Sequence, residues 1–81
     1  MIVHVLLFAQ ARERAGRDRF SLELPDGSRV ADALAEIRRH HPGLSALEPH
    51  LAVAVDGVLC GPDVALRTDA ELALLPPVSG G

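Results

Sequence analysis

Residues 19–43, RFSLELPDGSRVADALAEIRRHHPG, change hydrophobic period partway along. Over Asp18–Leu24 the period is two. Phe20, Leu22 and Leu24 face one way and Arg19, Ser21 and Glu23 the other, the pattern of a half-buried strand. Pro25-Asp26-Gly27 is turn chemistry. Beyond it the period becomes helical: Val30, Leu34 and Ile37, with Ala33 beside them, form one apolar stripe and predict a helix over about residues 29–40. Ser28 is the expected N-cap, and Asp32 places negative charge in the first turn, where the helix dipole favours it. Arg38, Arg39, His40 and His41 load the last turn with positive charge, and Pro42-Gly43 stops the helix.

The flanks complete the pattern. Met1–Phe8 is short, β-branched and apolar, a strand with Val3, Val5 and Leu7 on one face and His4, Leu6 and Phe8 on the other. Ala9–Gly16 is a polar helical or turn connection closed by glycine, and the strands on either side of it form a hairpin-like edge. After the helix, a loop carries Leu44, Leu47 and Pro49. Leu51–Val55 reads as a third strand with Val53 and Val55 inward, Asp56-Gly57 as a hairpin turn into Val58-Leu59, and Glu71–Leu75 as the last strand. Pro76-Pro77 ends that strand, because neither residue donates to a ladder. One helix cannot cover two sheet faces. The order therefore predicts an α+β β-grasp (ubiquitin-like) arrangement over residues 1–81: a mixed sheet, one main helix on one face, the first and last strands in the middle, and a flexible tail at 76–81.

The chain has 81 residues, enough for one domain, with 48% hydrophobic and 23% charged residues, as in an ordinary globule. Eight basic residues against eleven acidic ones give a net charge of −3, which argues against a nucleic-acid binder. No apolar run reaches the roughly 20 residues of a membrane span, and no signal-peptide pattern opens the chain. A single cysteine, Cys60, suits a reducing cytoplasm. Every basic residue is arginine, so no side chain can form a Schiff base or accept an isopeptide bond. Groups for self-contained catalysis are few, which points to a carrier, adaptor or subunit.

Gly80-Gly81 is the most informative chemical feature. A Gly-Gly ending arises by chance in about 0.5% of chains. Pro76-Pro77 holds the exit stiff, and glycines have no Cβ to obstruct a narrow channel. Six residues at about 3.1–3.4 Å each reach roughly 20 Å, far enough to enter a partner's active site. A free α-carboxylate is inert until activated; adenylation by ATP would make it an acyl donor on which sulfur could replace the nucleotide.

The opening L-L-F-A-Q-A-R-E, the helix V-A-D-A-L and the ending A-L-L-P-P-V-S-G-G resemble the MoaD/ThiS sulfur carriers, the family of the small subunit of molybdopterin synthase. The resemblance spans the whole chain. It implies that Gly81 is adenylated by an E1-like activating enzyme and converted to a thiocarboxylate, with Gly80 letting it through. It further implies sulfur donation to cyclic pyranopterin monophosphate, giving the molybdopterin dithiolene. The implied partner is the synthase large subunit, in a heterotetramer of two small and two large chains. The carrier would bind no cofactor or metal itself, ATP being used by the activating enzyme. By matching positions, Phe8, Leu59 and Leu75 would form an apolar docking face, with Pro76, Pro77, Val78 and Ser79 inserted into the partner. Strand alternation independently puts Phe8 and Leu75 outward. The chain departs from the family in carrying Thr68-Asp69-Ala70 where a glycine is usual, a turn that Asp can still make, and Leu74-Leu75 where phenylalanines are common. Thiazole or tRNA thiolation, a ubiquitin-like modifier, and a plain binding module are the alternative readings.

Other chemistry-bearing residues read as structural. Cys60 has no histidine near it in sequence and reads as a small residue near a strand end. His40 and His41 point about 100° apart on a helix, which does not suit a shared metal. His4 is expected on the outer sheet face and His50 in a loop. Arg12-Glu13-Arg14 is a solvated cluster from which Arg12 could grip an acidic partner.

Overall fold

The computed structural model describes residues 1–44 and 51–75. Leu47, Pro49, His50 and the segment from Pro76 to Gly81 lie outside the described residues. In chain order the elements are β1 (Ile2–Leu7), α1 (Ala9–Ala15), β2 (Arg19–Glu23), α2 (Val30–His40), a 3-10 turn at Pro42–Leu44, β3 (Ala52–Val55), β4 (Val58–Cys60) and β5 (Glu71–Leu75). They form a five-stranded sheet in the order β2-β1-β5-β3-β4. β1 and β5 pair in parallel, Val5 opposite Leu72; the other neighbours are antiparallel. This is the mixed β-grasp sheet that the hydrophobic periods predict, with the first and last strands adjacent inside it.

The core lies between one sheet face and α2. Val3, Val5 and Leu7 of β1 are buried with Leu72 and Leu74 of β5, Leu22 of β2 and Val53 of β3, against Val30, Ala33 and Ile37 of α2. The alternation along β1 and β5 thus separates a dry face from a wet one, and a slip of one residue would exchange them. Two of the turns with left-handed backbone border the sheet's central strands. Asp56 and Gly57 have φ of 50° and 84°, the primed geometry that matches the twist of the β3–β4 hairpin. Asp69 has φ 65° and donates its N–H to the Ile2 carbonyl at 2.7 Å, so the turn lacking a glycine is made by aspartate, as expected from its tolerance of that region.

The start of α2 differs from expectation. Arg29, not Ser28, occupies the N-cap position, and its N–H donates to Asp32 Oδ2 at 2.8 Å. Ser28 is buried and its hydroxyl donates backward to the Pro25 carbonyl at 2.7 Å. The free N–H groups of the first turn are satisfied from far along the chain. Val30 and Ala31 donate to the carbonyls of Val64 and Pro62 at 2.9 and 3.0 Å, while the Leu66 N–H donates to the Ser28 carbonyl. With backbone carbonyls supplied by the 62–66 segment, a hydroxyl cap has nothing left to do.

Candidate functional site

The face of the sheet turned away from α2 carries a row of small and apolar side chains. Register places Leu6 of β1 opposite Ala73 of β5, Ala73 opposite Ala54 of β3, and Ala54 opposite Leu59 of β4. Because side chains at paired positions share a face, these four residues make one strip across four strands. Leu75 lies two residues along β5 on the same face, paired with Ala52. Phe8 directly follows Leu7, the partner of Leu74, and so continues beside Leu75. Leu59 is 68% exposed and Phe8 46% exposed, while Leu75 is half-buried. Ala54 is only 6% exposed yet stands outside the core cluster; its neighbours on the outer strip cover it.

Phe8, Leu59 and Leu75 therefore share one face. Alternation alone identified Phe8 and Leu75 as outward. Leu59 sits in a strand of three residues, too short to show a phase, and its face follows only from pairing with Ala54. Leu6, Ala54 and Ala73 fill the middle of the strip. Their signal was present in the same alternation, but small or β1-internal residues do not stand out as exposed anchors. The strip has a polar border one row away, where His4 pairs with Glu71 and His4 Nε2 lies 3.1 Å from Asp69 Oδ1. His4 is thus on the outer face, as its position in β1 predicts.

The turn beside this border is held by charge. Asp56 Oδ1 accepts the Glu71 N–H at 3.0 Å and its Oδ2 accepts from the Arg67 guanidinium at 3.1 Å. The backbone N–H of Glu71 first, then Arg67, pull the Asp56 carboxyl below its ordinary pKa.

Cys60 closes β4 opposite Val53, on the side of α2, half-buried against the core. None of the described histidines reaches it. His40 approaches Glu36 at 3.7 Å, within a cluster where Arg39 also pairs with Glu36. His41 departs from the expected positive last turn. It is the C-cap residue, its ring packs 4.7 Å from that of Phe20, and burial, then Arg17 and His40, lower its pKa. These surroundings favour the neutral form of the packed ring. Among the described residues no group of three His, Cys, Asp or Glu side chains could hold a metal ion. Nor is any described helix long and apolar enough to cross a membrane. Arg12 is exposed on α1 and its carbonyl accepts the Gly16 N–H at 2.9 Å.

Residues 5–81 match the ThiS family. The chain is 37% identical over 83 residues to the molybdopterin synthase sulfur carrier subunit of Chlamydomonas reinhardtii, with all of both chains covered. Among solved structures, SAMP1 from Haloferax volcanii superposes with a TM-score of 0.91 at 31% identity, covering 100% of each chain. A chain from the complex of subunits 1 and 2 of the molybdopterin-converting factor of Helicobacter pylori superposes with a TM-score of 0.73 at 26% identity, again covering 100% of each. With its strand order, its outer apolar strip and its match over residues 5–81, the chain belongs to the ThiS family and has the ubiquitin-like β-grasp fold of its structural neighbours.

Proposed function

We propose that this chain is the sulfur-carrying small subunit of a molybdopterin synthase, a cosubstrate and not itself a catalyst. The observation that carries the reading is the apolar strip on the helix-free face, with Leu59 and Phe8 standing out of it beside the end of β5. An exposed apolar patch on a small acidic domain is a binding surface. The six residues from Pro76 to Gly81 follow directly from that patch. Docking through Phe8, Leu59 and Leu75 would commit Pro76, Pro77, Val78 and Ser79 to the partner's channel, with Gly80 narrow enough to let the reactive end through. The named relatives support the large subunit as that partner.

The chemistry then runs through Gly81. Its carboxylate attacks the α-phosphorus of ATP held by an E1-like enzyme, expelling pyrophosphate and leaving an acyl-adenylate. Hydrosulfide, or a persulfide whose S–S bond a second thiol then cleaves, displaces AMP and leaves a thiocarboxylate. Inside the large subunit this sulfur passes to cyclic pyranopterin monophosphate, and two successive transfers complete the dithiolene, in a heterotetramer of two small and two large chains. Water takes the acyl position, so Gly81 returns as a carboxylate. The carrier holds no cofactor or metal of its own, and a reducing cytoplasm suits its free Cys60.

The likeness to SAMP1, a small archaeal modifier protein, favours a second reading, attachment of the tail to other proteins. One experiment separates the two. Parent and a Gly81 deletion are incubated with activating enzyme, ATP and a sulfur donor, and intact mass is recorded. The carrier reading expects the parent to gain the mass of sulfur for oxygen and then to convert the pterin precursor with the large subunit. Deletion withdraws the reacting carbon by about 3.3 Å and should abolish both. A parent that accumulates only as conjugates on lysines of other proteins supports the modifier. A deletion variant that loads sulfur equally well overturns the role of Gly81.

A further inference from the structure

β2 is an edge strand of the sheet, and no other described strand lies on its outer side. The Leu24 N–H donates to the Met1 carbonyl, Met1 donates back to the Leu24 carbonyl, and the Leu7 N–H donates to the Asp18 carbonyl. These bonds set the phase of the β1–β2 ladder. Residues 18, 20, 22 and 24 bond toward β1, whereas Arg19, Ser21 and Glu23 direct their N–H and C=O groups away from the sheet. Beside this edge a groove of about 410 Å³ runs between β2 and the end of α2, lined by Arg17, Phe20, Leu22, His40 and His41. Nothing in the described residues pairs with the edge.

The sequence of β2 is complementary to itself. Laid antiparallel on a second copy about Ser21, the strand RFSLE puts Arg19 opposite Glu23, Phe20 opposite Leu22, and Ser21 opposite Ser21. The phase agrees. Arg19–Glu23, Ser21–Ser21 and Glu23–Arg19 are all pairs of outward-directed residues, so each can exchange two backbone hydrogen bonds. Opposite charges then face one another on the exposed side of the sheet. Phe20 and Leu22 meet on the α2 side in the wide pairs, where side chains approach most closely. Other registers lose this. A shift of four residues brings Arg19 onto Arg19 or Glu23 onto Glu23, and a shift of one reverses the faces. Charges on an open edge ordinarily repel a stray strand; in this one register they attract.

We infer that β2 is a homotypic docking edge, through which two copies of this chain join their sheets about a two-fold axis at Ser21. The contact is small, so the dimer is weak and reversible. It leaves β4, β5 and the Leu59 strip uncovered, and it does not depend on the sulfur-carrier reading.

Sedimentation equilibrium of the whole chain from about 10 μM to about 1 mM, the range suited to a small interface, tests it. The parent should pass reversibly from monomer to dimer. Arg19→Glu places like charges at both symmetric pairs and should weaken dimerisation at least tenfold. The double variant Arg19→Glu/Glu23→Arg restores opposite charges and should return the constant to within about threefold of the parent. Ser21→Pro removes an outward N–H that β1 does not use and should be monomeric with an unchanged melt. If Ser21→Pro fails to fold, the charge exchange decides. A parent monomeric throughout, as it would be if the edge served another chain's strand, overturns the inference. So does a double variant no better than Arg19→Glu.

Discussion

Asp56 and Glu71 bind each other twice: the Asp56 N–H donates to the Glu71 carbonyl at 2.9 Å, and the Glu71 N–H donates to Asp56 Oδ1 at 3.0 Å. The pair ties the β3–β4 turn to the first residue of β5. Since Asp56 has its pKa lowered in the folded chain, chiefly by the Glu71 N–H and then by Arg67, its contribution is present above the ordinary carboxylate range. It is lost as pH falls through the depressed folded value. Asp56→Asn keeps an acceptor for Glu71 and tolerates positive φ, but cannot ionise. Denaturant unfolding should show parent above variant at pH 7 and the gap closing toward pH 2. An equal gap at both would remove the carboxylate from the stability of this turn.

Leu59→Glu and Phe8→Asp should leave the melting temperature nearly unchanged, since both side chains stand out of the sheet. Phe8 serves α1 only through its carbonyl, which accepts from Ala11 and Arg12. Binding to the large subunit, measured by titration calorimetry, should fall by about 2 kcal/mol or more, as for central apolar anchors. Folded variants that bind like the parent would place the docking face elsewhere.

Ala9 has φ 49° at the first position of α1. A Cβ in that region costs about 1–2 kcal/mol, and glycine there gives back part of the gain as unfolded-chain entropy. Ala9→Gly should therefore raise the unfolding free energy by about 0.5–1 kcal/mol in urea titration. A loss of stability would mean that the left-handed residue is not strained.

Cys60→Ala should load sulfur at the parent's rate, because no described histidine neighbours the thiol and the proposed chemistry carries sulfur on Gly81. Stability should drop by about 1 kcal/mol or less, as expected for shrinking a half-buried side chain at a strand end. A folded variant that fails to load would make the thiol a participant.

Most of the fold was readable because β1, β2 and β5 are long enough to display alternation and α2 long enough to display a stripe. Asp56-Gly57 announced its turn through backbone chemistry alone. The two misreadings, at Ser28 and His41, and the one face that alternation left unread, at Leu59, are all non-local. Ser28 has the residue type of a cap, but the 62–66 segment arrives with carbonyls that no nearby residue could reveal. His41 reads as a helix-end cation until Phe20 is brought against it. Leu59 could be placed on a face only by knowing its partner, Ala54. The outer strip was half legible for the same reason: alternation says which side of a strand is wet, not which neighbouring strands complete the patch.

The parallel pairing of β1 with β5 has a consequence for synthesis. β1 leaves the ribosome before β5, so the middle of the sheet closes only after the other described strands have emerged. Until then Val3, Val5 and Leu7 have β2 on one side and no neighbour on the other. β5 contributes Leu72 and Leu74 to the core and Leu75 to the outer face. A chain broken before Glu71 thus loses part of its core and part of its outer apolar strip together. Such a product cannot close the sheet and is exposed to proteases as an unfolded chain.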